Sequence, residues 1–501
     1  MKYIGIDLGT SAMKLLLMDA NGDVLKTVAR EYPIFFPESG WSEQNPEDWF
    51  REMMTGMNLL TEGCEKSEIA GIGVAGQMHG LVVLDESDQV IRPAILWNDG
   101  RTSKEVDYLN QVIGEEKLLQ DTSNIAFAGF TAPKILWMKN NEPELFARIS
   151  KIMLPKDYLN YRLTGVFATE YSDAAGTLLM DVRQKKWSEC MLEICGITEK
   201  ELPPVYESYE SIGTLKKEIA EELGLCREVK VAAGAADNAA AAIGTGTVGE
   251  GNCNISLGTS GTIFIPCSDY NPEWGKALHT FVHADGNYNL LGCILSAASC
   301  NKWFMEQILQ DKDYDRIQSA ISQEKLGRNR VYFLPYLMGE RSPINDTNAR
   351  GTFLGMSMDS TREDMLHAVL EGVGFALRDC IEIAREQGIQ AVRSTICGGG
   401  AKSRLWLEII ANILQMELVV VKTEEGPGYG GAMLAAVACG EYESIERCVE
   451  QLIQIVEVIR PDEEIVERYN EQYEKYRKLY PALKPVFQEL NTQKEELQDE
   501  V

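Results

Sequence analysis

Several features that mark other classes of protein are scarce in this sequence. Its twelve cysteines include no CxxC pair and it has only four histidines, so a zinc site is not expected. Lysine and arginine number 48 against 76 aspartates and glutamates, which leaves a net charge of −28. Nucleic acids require basic surfaces, so this charge argues against DNA or RNA as a partner. The scattered cysteines are typical of reduced thiols in a cytosolic protein.

A long apolar run is also missing. The longest stretch of small apolar residues, Val231 to Val248, is interrupted by Asp237 and is too short to span a bilayer comfortably. The first residues, MKYIGIDLG, lack the apolar region of a secretory signal and carry Asp7 within their apolar stretch. We therefore expect a soluble, cytoplasmic protein without a membrane association.

The sequence does contain one short motif twice. LGTS occurs at Leu8–Ser11 and again at Leu257–Ser260, each time between two apolar stretches. Before the first copy, Ile4 and Ile6 alternate with other residues, which is the period of a half-buried strand. We predict that each LGTS is a tight turn between two strands, where glycine allows a ligand to approach and N–H groups hold an anion. Two copies predict duplicated domains that bind one phosphorylated ligand.

The length of the chain indicates more than one domain. A sequence of 501 residues is longer than one hydrophobic core usually supports. The segment GTGTVGEG, residues 244–251, holds four glycines in eight residues and is the natural boundary. We predict an α/β fold with domains at residues 1–245 and 246–445. We expect residues 446–501 to form a C-terminal helical segment and an acidic tail. The last forty of these residues have the pattern of a solvated helix with a frayed end and no chemistry of its own.

Hydrophobic periodicity predicts the main elements around the two motifs. It favours a helix over Pro46–Leu60, a strand over Ile69–Gly76 and a long amphipathic helix over Glu363–Glu386. Ser394–Leu414 has the pattern of a strand, a triple glycine and a helix, whose N-terminus would accept phosphate or ribose oxygens. The glycine spacing there fits neither a Rossmann fingerprint nor a Walker A loop.

Asp7 lies just ahead of the first LGTS turn. A carboxylate beside a phosphate-binding turn needs a cation between the two negative charges, and Mg²⁺ is the obvious candidate. The alternative is an aspartate that caps its own turn through local backbone hydrogen bonds. The second copy has Ser256 at the matching position. We therefore predict that both turns bind phosphate and that only the first recruits a metal.

Asp237 is the only charged residue between Val231 and Val248. Small apolar neighbours remove water from a carboxylate, which raises its pKa and makes it a stronger base. Asp237 also precedes Asn238 and an alanine-rich helix, so it could be a helix N-cap. The two interpretations are compatible, because a cap at the edge of a cleft is exposed there.

Two further segments carry polar side chains at strand ends. GQMHG places Gln77, Met78 and His79 in a turn between two strands, where polar groups in α/β folds often face a ligand. WNDGR offers Asn98, Asp99 and Arg101 as a hydroxyl-binding set or, equally, as a well-bonded loop. A lone histidine such as His79 is also commonly structural.

Together these segments resemble the FGGY carbohydrate kinases, within the actin, Hsp70 and sugar-kinase superfamily. The resemblance runs from Ile4 to about Gly440. GTFLGM at 351–356, followed by DMLHAVLE at 364–371, matches the second signature of that family. GQMHG, WNDGR and GAADNAA are most similar to the members that phosphorylate D-xylulose. The resemblance implies two ribonuclease H-like domains with a central cleft that closes on ATP, Mg²⁺ and a sugar.

The resemblance also implies a role for each candidate residue. Asp237 would be the base that takes a proton from the terminal hydroxyl of the sugar, and Asp7 would organise Mg²⁺. The residues implied to line the sugar pocket are Met78, His79, Asp237 and Asn238. The residues implied to bind the nucleotide are Gly9, Thr10, Ser11, Lys14, Gly258, Thr259, Gly399, Gly400 and Ser403.

The expected function is ATP-dependent phosphorylation of D-xylulose at its 5-hydroxyl. Another ketose or a polyol remains an alternative, because the shape of the pocket decides the substrate. A different class is a non-catalytic, nucleotide-dependent binding module, since Hsp70-like proteins share the LGT turns. The expected partners are a ketopentose and ATP, and the resemblance leaves a homodimer open.

Overall fold

Residues 1–423 and 425–498 are described by the computed structural model, and they divide into two units. Unit 1 comprises Met1–Val248, Cys267–Asn289 and Glu425–Gln454. Unit 2 comprises Gly249–Pro266, Leu290–Glu424 and Ile455–Val501. Both units are discontinuous in sequence, whereas the predicted domains 1–245, 246–445 and 446–501 are continuous. That division of the chain stays a prediction, and residues 499–501 of its acidic tail lie outside the described part.

The strands, in chain order, are β1 (Lys2–Leu8), β2 (Ala12–Asp19), β3 (Val24–Glu31), β4 (Glu43–Gln44), β5 (Ile69–Gly76), β6 (Val82–Leu84), β7 (Ala94–Ile95), β8 (Lys151–Met153), β9 (Thr169–Glu170), β10 (Met180–Asp181), β11 (Lys186–Trp187), β12 (Val205–Tyr206), β13 (Ser211–Thr214), β14 (Lys230–Ala232), β15 (Ala235–Ala236), β16 (Asn252–Leu257), β17 (Gly261–Cys267), β18 (His279–Val282), β19 (Tyr288–Ile294), β20 (Tyr332–Leu334), β21 (Thr352–Leu354), β22 (Arg393–Cys397), β23 (Glu417–Val421) and β24 (Ile455–Ile459).

The α-helices, in chain order, are α1 (Pro46–Thr61), α2 (Ser103–Asp107), α3 (Glu115–Thr122), α4 (Thr131–Asn141), α5 (Pro143–Phe146), α6 (Pro155–Thr164), α7 (Tyr171–Ala175), α8 (Glu189–Cys195), α9 (Lys217–Leu223), α10 (Asp237–Thr245), α11 (Ala298–Trp303), α12 (Tyr314–Gln318), α13 (Arg362–Glu386), α14 (Arg404–Leu414), α15 (Gly426–Cys439), α16 (Ile445–Leu452), α17 (Glu463–Tyr476) and α18 (Leu479–Gln498). Within the described residues, none of these helices is both long and apolar enough to cross a bilayer.

The main sheet of unit 1 is built on the first LGTS hairpin. Its strand order is β13-β14-β5-β1-β2-β3, and β15 pairs with the end of β5. β1 is antiparallel to β2 and parallel to β5. The predicted strand Ile69–Gly76 is confirmed as β5, and the predicted helix over Pro46–Leu60 is confirmed as α1.

Unit 2 repeats this arrangement around the second LGTS. Its main sheet contains strands in the order β19-β17-β16-β22-β23-β24. β16 is antiparallel to β17 and parallel to β22, as β1 is to β2 and β5. Each LGTS is therefore a turn between antiparallel strands, as predicted. The long helix predicted over Glu363–Glu386 is confirmed as α13, and the strand, glycine turn and helix over Ser394–Leu414 as β22 and α14.

Helix α15 packs directly on backbone atoms of unit 1. Its sequence, GPGYGGAMLAAVAC, contains four glycines near its start. A Cβ atom added to Gly430 would overlap the carbonyl oxygen of Ala240 in α10. A Cβ atom added to Gly5 in β1 would likewise overlap the carbonyl oxygen of Gly428. Only glycine permits these approaches, so α15 lies tightly between the sheet and α10.

The C-terminal helices differ from the sequence prediction. We expected a solvated segment, but α17 buries Tyr469, Tyr473 and Tyr476 along one face. The ring of Tyr476 lies 4.9 Å from that of Phe375 in α13, and the Tyr473 hydroxyl donates to Asp379 at 2.6 Å. The tyrosines lie three and four positions apart, so one face of a charged helix joins the core of unit 2.

Replacing Gly430 by alanine should destabilise unit 1. The new methyl group would overlap a backbone oxygen, so we expect the free energy of unfolding to fall by about 2 kcal/mol or more. Gly426→Ala in the same helix is the matched control, because its Cβ atom would lie 3.6 Å from that of Ala241, an ordinary contact. Denaturant unfolding measures both variants, and equal stability of the two would contradict the packing described here.

Candidate active site

Three strand ends lie side by side in unit 1. β5 is parallel to both β1 and β15, with Leu8 and Ala236 each opposite Gly76. The carboxyl ends of parallel strands share one edge of a sheet. The first LGTS turn, the GQMHG turn and the start of α10 therefore emerge together at that edge. Residues that are far apart in sequence are brought together there.

The carbonyl groups of the first LGTS turn are occupied by side chains. The Tyr32 hydroxyl donates to the carbonyl oxygen of Gly9, and Gln44 Nε2 donates to that of Thr10 at 2.7 Å. In the part of the chain that the structure describes, no acceptor is found for the N–H groups of Thr10 and Ser11. These two N–H groups are compatible with the anion site predicted from the sequence, which stays a prediction.

The Thr10 hydroxyl is held by two side chains. It donates to Gln77 Oε1 at 3.3 Å and accepts from Trp97 Nε1 at 2.9 Å. Gln77 Nε2 in turn donates to Gln44 Oε1 at 3.1 Å. This network joins the phosphate turn to the strand end that carries Met78. We did not predict it from the sequence, where only the position of Gln77 in the GQMHG turn hinted at such a role.

Asp7 and Asp237 both carry raised pKa values. Burial, followed by the charge of Asp237, raises the pKa of Asp7 to about 7, against the opposing effect of Lys14. Burial also raises the pKa of Asp237 to about 6, opposed by the N–H group of Asn238. Each residue keeps some exposed surface, so these desolvated carboxylates remain within reach of a ligand. Perturbed carboxylates at strand ends are typical of active sites.

Asp237 does not occupy the N-cap position of α10. It is the first helical residue, and Ala236 is the N-cap. Its Oδ1 accepts from the backbone N–H of Asn238 at 2.7 Å and from Asn238 Nδ2 at 3.1 Å. The carboxylate thus binds the first turn of the helix and still has Oδ2 for a substrate. The interpretation of Asp237 as an N-cap is therefore wrong, and its role as a base stays a prediction.

His79 has an unusual backbone conformation that its neighbours maintain. Its φ angle is +67°, in the left-handed region that non-glycine residues rarely adopt. Its carbonyl oxygen accepts from Lys134 Nζ at 2.8 Å and from the Thr131 hydroxyl at 3.1 Å. Its Nδ1 lies 2.6 Å from the carbonyl oxygen of Gly176. Such strain, when the surroundings maintain it, is a mark of functional sites.

The predicted sugar-pocket residues are neighbours. Asn238 Nδ2 lies 3.8 Å from Met78 Sδ, which links the GQMHG turn to α10. The ring of Phe130 lies 4.8 Å from that of His79, and Phe281 lies 6.1 Å from it. Met78, His79, Asp237 and Asn238 are therefore brought together. The aromatic wall behind His79 comes from segments that have no motif, so the sequence did not indicate it.

Lys14 lies at the other side of the first turn, opposite Asp7 in the β1–β2 pairing. Its side chain is 58% exposed, and Nζ is 3.7 Å from the carboxylate of Glu425. An ion pair of this length at a largely exposed lysine is weak, so it costs little to separate Lys14 from Glu425.

The WNDGR loop is structural at two of its three candidate positions. Asp99 Oδ2 accepts from the backbone N–H of Ser42 at 2.5 Å, and Arg101 binds Asp99 at 2.7 Å. The Arg101 guanidinium lies 3.8 Å from the ring centre of Trp41, and its side chain is fully buried. Of the two alternatives, the well-bonded loop holds for Asp99 and Arg101. Asn98 is exposed.

The second LGTS turn lines a cavity of about 680 Å³ in unit 2. Its carbonyl groups are again occupied, since Ala298 N–H donates to Gly258 and Ala297 N–H donates to Thr259, each at 2.9 Å. The cavity brings together all five nucleotide-site residues predicted in this half of the chain: Gly258, Thr259, Gly399, Gly400 and Ser403. Trp303 and Tyr314 also line it and provide aromatic surface for a base.

Ser403 is the N-cap of α14. Its hydroxyl accepts from the N–H group of Trp406 at 3.2 Å and donates to Gln318 Oε1 at 2.5 Å. A Cβ atom at Gly399 would meet nothing within 4 Å, so the backbone there is open to a ligand.

A ready-made protein metal site is not seen in the described residues. No group of three or more histidine, cysteine, aspartate or glutamate side chains within residues 1–423 and 425–498 is placed to hold a metal ion. This observation is compatible with a cation that is carried mainly by a nucleotide, since Mg²⁺ usually keeps waters and phosphate ligands.

The duplicated sheets and the turns at their first hairpins define a two-domain fold of the actin, Hsp70 and sugar-kinase type. Residues 2–244 match the N-terminal domain of the FGGY family of carbohydrate kinases, and residues 253–439 match its C-terminal domain. The chain therefore belongs to the FGGY family of carbohydrate kinases. ATP and a carbohydrate are the substrates of such an enzyme, and the alternative of a non-catalytic binding module is removed.

Relatives of known function cover nearly the whole chain. The xylulose kinase of Bacillus subtilis strain 168 is 39% identical over 473 residues, which is 94% of this chain and 95% of that protein. A xyloylose kinase from Brucella ovis is 38% identical, covers 97% of this chain and 100% of its own, and has a TM-score of 0.91. A gluconate kinase from Lactobacillus acidophilus is 27% identical, with 98% and 99% coverage and a TM-score of 0.92.

Proposed function

We propose that this enzyme transfers the γ-phosphoryl group of ATP to the 5-hydroxyl of D-xylulose. The observation that carries the proposal is the position of Asp237, a desolvated carboxylate at the strand edge shared with Met78 and His79. Support for the sugar comes from the Bacillus subtilis xylulose kinase and the Brucella ovis xyloylose kinase, which align along most of this chain.

Asp237 acts as the general base in this proposal. Its carboxylate takes the proton of the terminal hydroxyl, the freed oxygen bonds to the γ-phosphorus, and the bond from that phosphorus to the β-phosphate oxygen breaks to release ADP. Met78, His79 and Asn238 bind the sugar and hold its terminal hydroxyl at the carboxylate. Phosphoryl transfer depends mainly on such positioning and on stabilisation of charge.

The two LGTS turns bind the phosphates. In unit 1, the N–H groups of Thr10 and Ser11 and the ammonium of Lys14 contact the transferred group, and the glycine at Gly9, whose own N–H donates to Ala12 within the turn, lets that group approach the backbone. In unit 2, Gly258 and Thr259 contact the phosphate chain, while Gly399, Gly400 and Ser403 bind the adenosine. The hydroxyl of Thr10 already has two side-chain partners, so its contribution to phosphate binding comes from the backbone.

Asp7 fits a role beside Mg²⁺. It is an oxygen donor with a pKa of about 7, raised by burial and by the charge of Asp237, and a nearby cation would restore its ionised form. When bound, Mg²⁺ would neutralise charge on the phosphates. Asp7 would orient it directly or through water, and Ser256, the counterpart in unit 2, has no charge to do so.

A second candidate substrate is another polyhydroxylated compound of similar length. The gluconate kinase of Lactobacillus acidophilus has a TM-score as high as that of the xyloylose kinase, so this fold serves kinases with different phosphoryl acceptors.

Because ATP is the phosphoryl donor, we place the reaction in the cytoplasm. A homodimer stays a prediction.

The choice of sugar is tested by measuring ADP release with a panel of pentuloses, hexuloses, polyols and gluconate. We expect the highest kcat/KM with D-xylulose, because the GQMHG turn and Asp237 present groups for the end of a short ketose. A substantially higher kcat/KM with gluconate or another sugar would show that D-xylulose is not the preferred substrate. The assignment of the chain as a carbohydrate kinase would still hold.

Replacing Asp237 by asparagine should remove the base and keep the shape of the site. We expect kcat to fall by about 10² to 10⁴, while ATP binding measured by calorimetry is unchanged. Near-normal turnover in this variant would contradict the role of base. Asp237 would then have only a structural role, through its hydrogen bonds with Asn238.

The pH dependence of kcat/KM in the wild-type enzyme is a control for the Asp237→Asn experiment. The base must be ionised, so kcat/KM should fall about tenfold per pH unit below the pKa of Asp237, about 6. Asp237→Asn should lack that limb of the profile in its residual activity.

Replacing Asp7 by alanine should raise the Mg²⁺ concentration needed for half-maximal turnover. The carboxylate would no longer orient the cation, whereas binding of D-xylulose, followed by calorimetry without nucleotide, should change little. Asp19→Ala, at the far end of the same hairpin, is the control. An unchanged metal titration in Asp7→Ala would count against the metal role.

A further inference from the structure

We propose that Ser172 is a positioning residue for the base, acting through the backbone of Ala236. This inference rests on the proposed role of Asp237 and explains how that carboxylate is held. Ser172 lies in α7, outside every motif that the sequence indicated.

The link begins at the strand that precedes Asp237. β15 consists of Ala235 and Ala236 alone and pairs only with the end of β5 among the described strands. The N–H group of Ala236 donates to Ser172 Oγ at 3.0 Å. A strand of two residues makes few backbone hydrogen bonds that fix its direction. The hydrogen bond to Ser172 therefore contributes strongly to the position of Asp237, the next residue in the chain.

Glu170 fixes the orientation of the Ser172 hydroxyl. Ser172 Oγ donates its proton to Glu170 Oε1 at 3.0 Å, which leaves a lone pair for the N–H group of Ala236. The same carboxylate accepts from the backbone N–H of Ser172 at 2.7 Å and of Asp173 at 2.9 Å. Glu170 thus caps α7 and directs the serine toward β15 at the same time.

A buried lysine balances the charge of Glu170. Lys156 Nζ lies 3.6 Å from Glu170, 2.6 Å from Asp157 and 3.8 Å from Asp173, and all four side chains are at most 1% exposed. Burial acts to lower the pKa of Lys156, but the three carboxylates outweigh it and the pKa is raised. Burying four ionisable groups is costly for folding, and replacing such clusters by apolar residues is often stabilising. The geometry that the cluster imposes on Glu170 therefore explains it better than a contribution to stability does.

Ser208 supplies a matched comparison. Its hydroxyl also donates to Glu170, at 2.8 Å to Oε2, and the residue is equally buried at 1% exposure. Its side chain, unlike that of Ser172, makes no described bond to Ala236. Removing either hydroxyl takes one donor from the same carboxylate, and only the loss of Ser172 removes a hydrogen bond to the strand that precedes Asp237.

The experiment compares Ser172→Ala with Ser208→Ala in the full chain. We expect both variants to lose similar thermal stability, while kcat for the preferred sugar falls about tenfold in Ser172→Ala and less than about twofold in Ser208→Ala. The KM for the sugar should stay within about twofold in both. Ser172→Cys is the substitute variant if Ser172→Ala folds badly, because cysteine keeps the volume of the side chain and accepts hydrogen bonds poorly. It should show the same loss in kcat. Equal kcat in the Ser172 and Ser208 variants would overturn the proposal.

A double-mutant cycle separates this inference from the proposed function. In an Asp237→Asn background, Ser172→Ala should change the residual turnover by less than about twofold, because the group it positions is already absent. A further tenfold loss there would mean that Ser172 acts elsewhere and would overturn the inference. If Asp237→Asn alone keeps normal turnover, the proposed base is wrong, whatever Ser172 does.

Discussion

The close contact of helix α15 with backbone atoms is the constraint on which the site in unit 1 depends. The helix lies against β1 on one side and α10 on the other, at distances that exclude even a methyl group at Gly5 and Gly430. Because β1, β5 and β15 end at one edge, this packing also fixes where their last residues point. The first LGTS turn, the GQMHG turn and Asp237 are thus placed by backbone contacts at one edge of the sheet.

Desolvation is the second physical theme of the site. Burial raises the pKa of Asp237 and that of Asp7, and the charge of Asp237 raises the pKa of Asp7 further. One of them can then serve as a base near neutral pH while the other prefers a cation beside it. Lys156, buried among three carboxylates close to β15, shows that unit 1 also concentrates charge near the residue that we propose as the base.

The sequence predicted the parts of this molecule that depend on local pattern. The LGTS turns, α1, β5 and α13 follow from periodicity and from glycine chemistry, and the resemblance to a family supplied Asp237 and its neighbours. Contacts between distant segments were not predictable. Nothing local indicated that α15 returns to unit 1, that Gln77 and Trp97 hold Thr10, or that Ser172 supports Ala236. The tyrosine face of α17 was also missed, because its many charged residues suggested a solvated helix.

The central claim is that the edge shared by β1, β5 and β15 is where the sugar hydroxyl meets its base. A crystal structure of the enzyme with D-xylulose and a non-hydrolysable ATP analogue tests it most directly. The account predicts the terminal hydroxyl of the sugar within hydrogen-bond distance, about 2.6–3.2 Å, of an Asp237 carboxylate oxygen, with the sugar against Met78 and His79. A sugar bound elsewhere, or with its terminal hydroxyl directed away from Asp237, would contradict it.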